Sequence, residues 1–459
     1  MNRTAFTARF VVSAVPTLLA AVAACGLLDT DPPNIVGAED LDTPSGAATK
    51  RLGAISIFTL AKDGDFQPVG IPGNTDPGNS NDFSDGYILV SGILADEFVN
   101  PGFIPSRTEV DLRLAQPTTA GLGELYQSLH RARSAAEDAA VALQTFGPDP
   151  AADSGIPEMQ SLAGFVYTML AEGFCSGVTV SRVENDQIIY GTPLTTAQVL
   201  DSAIVRFNTA LAHSSIVAGD PIHSLASVGL GRALLDQGLF AEAAAAVATV
   251  PPEFLYETEH ATTPAALHNG VFEAFNNGEF GVFDQEGGNG LPYVSAGDLL
   301  VQGDSGIASD NNTETWFPNK YASFDASIPL ADYLEAQLII AESELQTAAY
   351  SAMTQRLQDL RDLAGLPSPP LATPGSVDAA VDQLFTERAF WLYATGHRLG
   401  DMRRLIRQYG RDPETVFPTG DWFKGGLTYG TDVNLPLPRR EQNNPNVPPT
   451  GGGCLDRNA

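Results

Sequence analysis

The sequence predicts a mainly α-helical chain, built as a body of stacked helix pairs with one loop-rich region inserted. Three observations carry this. Apolar residues recur at helical spacing in a series of paired stretches. One pair, in 224–250, reads LGRALLDQGLFAEAAAAV and sets Leu230-Gly231, Leu234, Gly238, Phe240, Ala243 and Val247 at tetratricopeptide spacing. Between two such pairs lies 251–328, rich in Gly, Asn, Asp and aromatic residues. The fold class is therefore mainly α: a tetratricopeptide-like helical-repeat body with an inserted loop-rich subdomain.

The helices follow in order. Residues 45–61 read as one helix, and 63–105 as a turn-rich region with little periodicity. In 122–143, Leu122, Leu125, Tyr126, Leu129, Ala136 and Leu143 form an apolar stripe, and 159–171 does the same with Met159, Leu162, Val166 and Leu170. Thr195 and Gln198 make a capping box ahead of Leu200, Ala203, Ile204, Phe207 and Leu211. Helices then follow at 224–236 and 240–248, where small residues let two helices approach closely. The last three are expected at 330–346, 350–364 and 376–393, with Ser376 as an N-cap. Repeats of this kind bury a shared core by stacking on their neighbours. Pro436 and Pro438 exclude helix and central strand, so the chain end reads as an extended strap.

Composition bounds the function. The chain has 459 residues, 43% hydrophobic, which excludes a wholly disordered chain. Twenty-five basic against 55 acidic residues leave a net charge of −30, and such a surface repels nucleic acid and anionic lipid headgroups. The motifs GxSxG, HExxH, GxxxxGK[ST] and GxGxxG after a strand are absent, and no two of the six histidines stand at i,i+4. The tract 304–312, DSGIASDNN, offers oxygen ligands without an EF-hand pattern. No cofactor, metal site or catalytic residue is expected.

The first 24 residues read as an export signal. Arg3 and Arg9 precede a 14-residue run, VVSAVPTLLAAVAA, too short to span a bilayer as a helix. It ends Val22-Ala23-Ala24-Cys25, which resembles a bacterial lipobox and marks Cys25 for lipidation; the alternative is an ordinary signal peptide cut nearby. Removing 1–24 takes away two arginines and no acid, so the charge becomes −32. Acyl chains at ~0.8 kcal/mol per buried CH₂ outweigh that repulsion. Two cysteines remain, Cys175 and Cys454. In an exported chain an isolated pair suggests one disulfide, the alternative being two buried thiols.

The region 251–328 holds the candidate ligand residues. From Phe254 to Phe324 eleven of 71 residues are aromatic, against 8% of the chain, and a long loop with that content reads as ordered and functional. A pyranose lays its apolar C–H face on an aromatic ring while its hydroxyls need Asn, Asp and backbone partners. Trp316, Tyr321 and Tyr293 are the candidate stacking residues. Trp316 follows the polar loop DNNTET and precedes Phe317-Pro318, a place for either a core plug or a binding face.

Three further segments carry a resemblance. They are Cys25-Gly-Leu-Leu-Asp-Thr-Asp-Pro-Pro33, IPLADYLEAQLIIAESEL at 328–345, and ERAFWLYATGHRLGDMRRL at 387–405 followed by YGTDVNLPLPRREQNNPN at 429–446. The most specific residues are Glu387, Arg388, Gly396, Arg398, Asp401 and Arg404, then Leu435-Pro436-Leu437-Pro438, Glu441 and Asn444-Pro445. Together they resemble the SusD/RagB family. Acids are common in that family where this chain has Trp391 and Thr395. The resemblance implies a tetratricopeptide-like outer-membrane lipoprotein, exposed at the cell surface, that binds a nutrient without catalysis. It would take an oligosaccharide or peptide and deliver it to a TonB-dependent transporter of the SusC type. The rival readings are a lipid-anchored glycan hydrolase and a helical-repeat scaffold that binds only protein or peptide. The expected division is 1–24 signal peptide, 25–250 helical pairs with a loop-rich insert, 251–328 aromatic ligand-binding subdomain, and 329–459 helical region and strap. Glu387, Arg388, Arg398, Asp401 and Arg404 read either as internal partners for loop carbonyls and carboxylates or as ligand contacts.

Overall fold

The structure is a computed structural model that describes residues 38–64, 85–184, 187–366, 369–448 and 453–459. It is mainly α-helical, with short two-stranded sheets. Helix α1 spans Pro44–Asp63, with the Thr43 hydroxyl accepting from Gly46 N at 3.0 Å. After it come α2 (Gly86–Leu94), α3 (Pro105–Asp111), α4 (Leu122–Phe146) and α5 (Gly155–Gly173). Short strands β1 (Val178–Thr179), β2 (Arg182–Glu184), β3 (Gln187–Ile189) and β4 (Pro193–Leu194) lead to α6 (Thr196–Leu211). The Thr195–Gln198 capping box opens α6 with both reciprocal hydrogen bonds.

The pair α7 (Pro221–Asp236) and α8 (Phe240–Val247) packs by the expected small-against-large rule. A Cβ at Gly231 would fall 2.6 Å from Val247 Cγ1. Fully buried Phe207 of α6 fills the space that Gly229 and Gly164 leave open, where added Cβ atoms would lie 2.2 and 2.8 Å from its ring. Gly238 takes φ of 75°, the left-handed conformation the tight α7–α8 turn needs. Each helix from α5 to α8 packs on the one before it, which is the stacking the repeat spacing implies.

Beyond α8 the chain forms β5 (Leu255–Thr258), α9 (Gly270–Asn276), the hairpin β6 (Gly303–Ile307) and β7 (Glu314–Pro318), and β8 (Ile328–Asp332). Then come α10 (Tyr333–Gln346), α11 (Tyr350–Leu363), α12 (Val377–Trp391) and α13 (Arg398–Arg407). Ser376 Oγ caps α12, accepting from Ala379 N. Leu338, Leu345, Met353, Leu357, Leu384 and Phe385 form a second core between α10, α11 and α12.

Two expectations need correction. The helix expected over 330–346 starts at Tyr333, because 328–332 is strand β8, antiparallel to β5 with a bulge at Tyr256/Glu257. Pro329 lacks a donor and Asp332 caps α10 by accepting from Glu335 N at 2.7 Å, so the helix begins after both. The region 63–105 contains α2, whose nine residues are all buried. GYILVSGIL is apolar on every side, so it has no amphipathic period to detect.

The C-terminal strap crosses the body in extended form. Leu435 N donates to Gly173 O and Cys175 N to Leu435 O, both at 2.9 Å, and Leu435 and Leu437 are fully buried. Buried Arg403 closes the C-terminus of α5, donating to the carbonyls of Ala171, Glu172 and Phe174 at 2.6–3.2 Å.

Candidate functional site

The 387–405 segment is an internal ionic network. Arg388 forks onto Asp401 at 2.8 and 2.9 Å, and Arg404 donates to Asp401 at 2.8 Å and to Glu342. Arg361 grips Glu387 at 2.7–3.0 Å, and Arg398 grips Asp96 of the α2–α3 loop. Trp391 contributes its indole N–H to Glu387 Oε2 at 3.2 Å. Thr395 meets His397 Nδ1 at 2.8 Å. These groups are buried and engage chiefly one another, although Arg388 Nη1 and Glu342 Oε2 have no hydrogen-bond partner among the described residues.

Tyr293 and Tyr321 do not fit the expectation of exposed stacking residues. Tyr293 is 0% exposed, its ring 5.4 Å from Phe390 and 5.3 Å from Tyr393. Tyr321 is 8% exposed and donates its hydroxyl to Ala394 O at 2.9 Å. Both fasten the loop region onto the end of α12, where a large apolar ring contributes most to a core. Trp316 differs. It lies half-buried on β7, paired through its backbone with Val282. Its indole edge sits over Gly303, where a Cβ would be 2.6 Å from Nε1. Cys175 and Cys454 are joined by a disulfide, Cα atoms 5.8 Å apart. Cys25 and the 1–24 segment lie outside the described residues.

A face assembled from three separate stretches surrounds the 423–424 loop, and sequence reasoning missed most of it. Phe283 and Phe423 stack with ring centroids 4.7 Å apart and planes at 34°. Trp422 meets Phe423 edge-on at 4.9 Å. Lys424 Nζ donates to the carbonyls of Pro101 and Gly102 and to Asp310 Oδ2 at 3.1 Å, tying the 101–103 loop, the β6–β7 turn and the 421–430 loop together. Next to that knot Phe103 stands 70% exposed. Asn311 and Asn312 are exposed on the β6–β7 turn beside Asp310, and Glu314 is exposed at the start of β7. Half-buried rings with a rim of Asn and Glu are what a sugar needs: stacking for its C–H face, donors and acceptors for its hydroxyls. The tract 304–312, read as oxygen ligands, is this hairpin; Asp310 is occupied by Lys424, Thr313 and Asn312. Asp421-Trp422-Phe423-Lys424 in a glycine-rich loop was the available signal, but it lies outside the region where aromatics concentrate.

A second cleft, enclosing about 610 Å³ open to solvent, is lined by Leu300, Lys320, Asp332, Trp391, Thr395 and His397. Burial lowers Lys320 to about 8 and raises Asp332 to about 6. Both charges already serve the fold: Lys320 donates to Tyr393 O, and Asp332 caps α10.

No protein-family model matches the sequence, and no curated protein matches it in sequence. The fold, by contrast, is shared with solved structures. A SusD superfamily protein from Parabacteroides distasonis superposes with a TM-score of 0.65 at 14% identity, over 88% of this chain and 98% of that one. A surface glycan-binding protein A from Bacteroides thetaiotaomicron gives 0.62 at 14% identity, over 91% and 100%. A laminarin-binding SusD-like protein gives 0.61 at 15%, over 88% and 98%. The chain thus has the SusD-like fold, in agreement with the resemblance read from its C-terminal segments.

Proposed function

We propose that the protein is a non-catalytic glycan-binding protein of the cell surface. It is held in the outer membrane by lipid on Cys25 and delivers oligosaccharide to a TonB-dependent transporter of the SusC type. The observation that carries this reading is the stacked Phe283–Phe423 pair, flanked by exposed Phe103 and a polar rim, on a SusD-like body. Structural neighbours named for laminarin binding and for surface glycan binding support the choice of ligand class. Among the described residues no helix is long and apolar enough to cross a membrane.

Affinity electrophoresis against laminarin and other soluble polysaccharides tests the ligand class. Phe423→Ala should weaken binding by ~1–3 kcal/mol, taking base–aromatic stacking as the scale, with little change in melting temperature. Trp316→Ala should weaken binding by a similar amount if its exposed face stacks, but cost ~3–5 kcal/mol of stability if it is a plug. Unchanged affinity in both variants, or release of shortened sugars from the polysaccharide, would remove this reading. The anchor has its own test: Cys25→Ser should abolish labelling by a fatty-acid probe and leave a soluble or unprocessed protein. Wild-type labelling of that variant would end the lipidation assignment.

A further inference from the structure

Beneath the aromatic face lies a buried pair of carboxyl groups. Asp111, at the end of α3, uses Oδ2 to accept from Asn100 N at 3.0 Å and from the Trp422 indole at 3.3 Å. Glu286, in the loop after β5 and α9, uses Oε1 to accept from the Tyr429 hydroxyl at 2.8 Å. The other oxygen of each, Asp111 Oδ1 and Glu286 Oε2, is buried and has no other partner among the described residues. The two side chains are within hydrogen-bonding reach of each other. Two acceptor oxygens buried against one another are satisfied only if a proton lies between them.

What the pair holds matters more than the pair itself. Trp422 and Tyr429 flank Phe423 and Lys424 on the same loop. That loop has other ties to the body, through Gly430 N to Leu112 O and through Lys424. The two side-chain anchors nevertheless both end on this acid pair. We propose that Asp111 and Glu286 share one proton and are positioning residues for the ligand face, so that the 421–430 loop loosens and binding weakens as rising pH draws that proton away. This rests on the functional reading above for its ligand, but not for the behaviour of the loop.

Burial favours the protonated pair. Burial raises Asp111 to about 7, against the lowering hydrogen bonds from Asn100 and Trp422 and the positive charge of Lys424. Burial also raises Glu286 well above the carboxylate range, and the charges of Asp111 and Asp96 add to that, with Tyr429 opposing. Asp96 is itself neutralised by Arg398. For carboxyls raised in this way the fold favours the protonated form. The stabilisation is therefore full below the ordinary carboxylate value of about 4 and is lost progressively as pH rises from there through the raised folded values, that of Asp111 being about 7.

Hydrogen exchange of the full chain without ligand, read at 420–430 from about pH 4.5 to about pH 9 and corrected for intrinsic rates, tests the proposal. The opening equilibrium of this loop should rise with pH toward the limit of about tenfold per unit set by one linked proton and level off once pH passes the folded value of the pair, while α5 stays unchanged. Asp111→Asn keeps an oxygen for Asn100 and Trp422 and supplies an N–H to Glu286, so the pH dependence should vanish with the loop still protected. Glu286→Gln should behave alike by donating to Asp111. Laminarin affinity, measured in parallel, should fall over the same pH range in the wild type and not in the amide variants. Loop protection in the wild type that is flat with pH overturns the proposal, as does an unchanged slope in both amide variants. Absent laminarin binding at every pH counts against the ligand class alone.

Discussion

Replacing Asp401 by alanine should lower stability by about 3–5 kcal/mol, the usual cost of removing one partner from a buried ion pair. Asp401 stands between two guanidinium groups, Arg388 at 2.8 and 2.9 Å and Arg404 at 2.8 Å, all of them buried. Arg404 would keep Glu342, with Asp236 at 3.4 Å, but Arg388 would lose the only side-chain acceptor its hydrogen bonds reach among the described residues. Burial alone would raise the Asp401 carboxyl. Arg388 and then Arg404 outweigh it and hold the group below the ordinary carboxylate range. A carboxylate depressed in this way adds stability above its unfolded value, and that stability is lost as pH falls through the folded one. The variant should therefore also lose acid sensitivity relative to wild type below about pH 4. Asp378→Ala is the control, since Asp378 is exposed and 3.6 Å from Arg411; it should stay within about 0.5 kcal/mol. Urea midpoints decide the matter. Equal midpoints for Asp401→Ala and Asp378→Ala would show the network to be energetically idle.

Opening the Cys175–Cys454 bridge should have the largest effect after that. It closes a loop with a sequence separation of 279 residues, for which chain entropy gives roughly 5 kcal/mol as an upper value. The tail has other ties: Leu455 N donates to Ser176 O at 2.7 Å, and Asn434 Nδ2 to the carbonyls of Arg457 and Asn458 at 3.0 and 2.8 Å. These ties hold the tail near its site in the folded protein but place no constraint on the unfolded chain. The double variant Cys175→Ser, Cys454→Ser should therefore unfold at lower urea than oxidised wild type, and match reduced wild type. Two free thiols in denatured, non-reduced protein, found by mass spectrometry, would refute the bridge.

Much of the helical body was legible because its signals are local. Helices α4 to α8 and α10 to α12 announce themselves through a 3.6-residue apolar period and capping residues such as Thr195 and Ser376, all within one element. The close α7–α8 approach follows from small residues at fixed offsets. Helix α2 was illegible for the converse reason: buried on all sides, it has no polar face to mark its period.

The site was much less legible. Its groups come from 100–103, 111, 283–286, 310 and 422–429, and no spacing rule links positions so far apart. Aromatic density drew attention to 251–328, but composition does not say which way a ring points. Tyr293 and Tyr321 turned inward, Trp316 stayed at the boundary, and Phe103 and Phe423 came from elsewhere. By itself the sequence determined the helical class, the pairing of neighbouring helices and the segments that resemble the SusD family. Tertiary structure alone decided which aromatics face solvent and which acids meet. Helix formation depends on contacts a few residues apart, whereas a binding face depends on packing among residues hundreds apart in the chain.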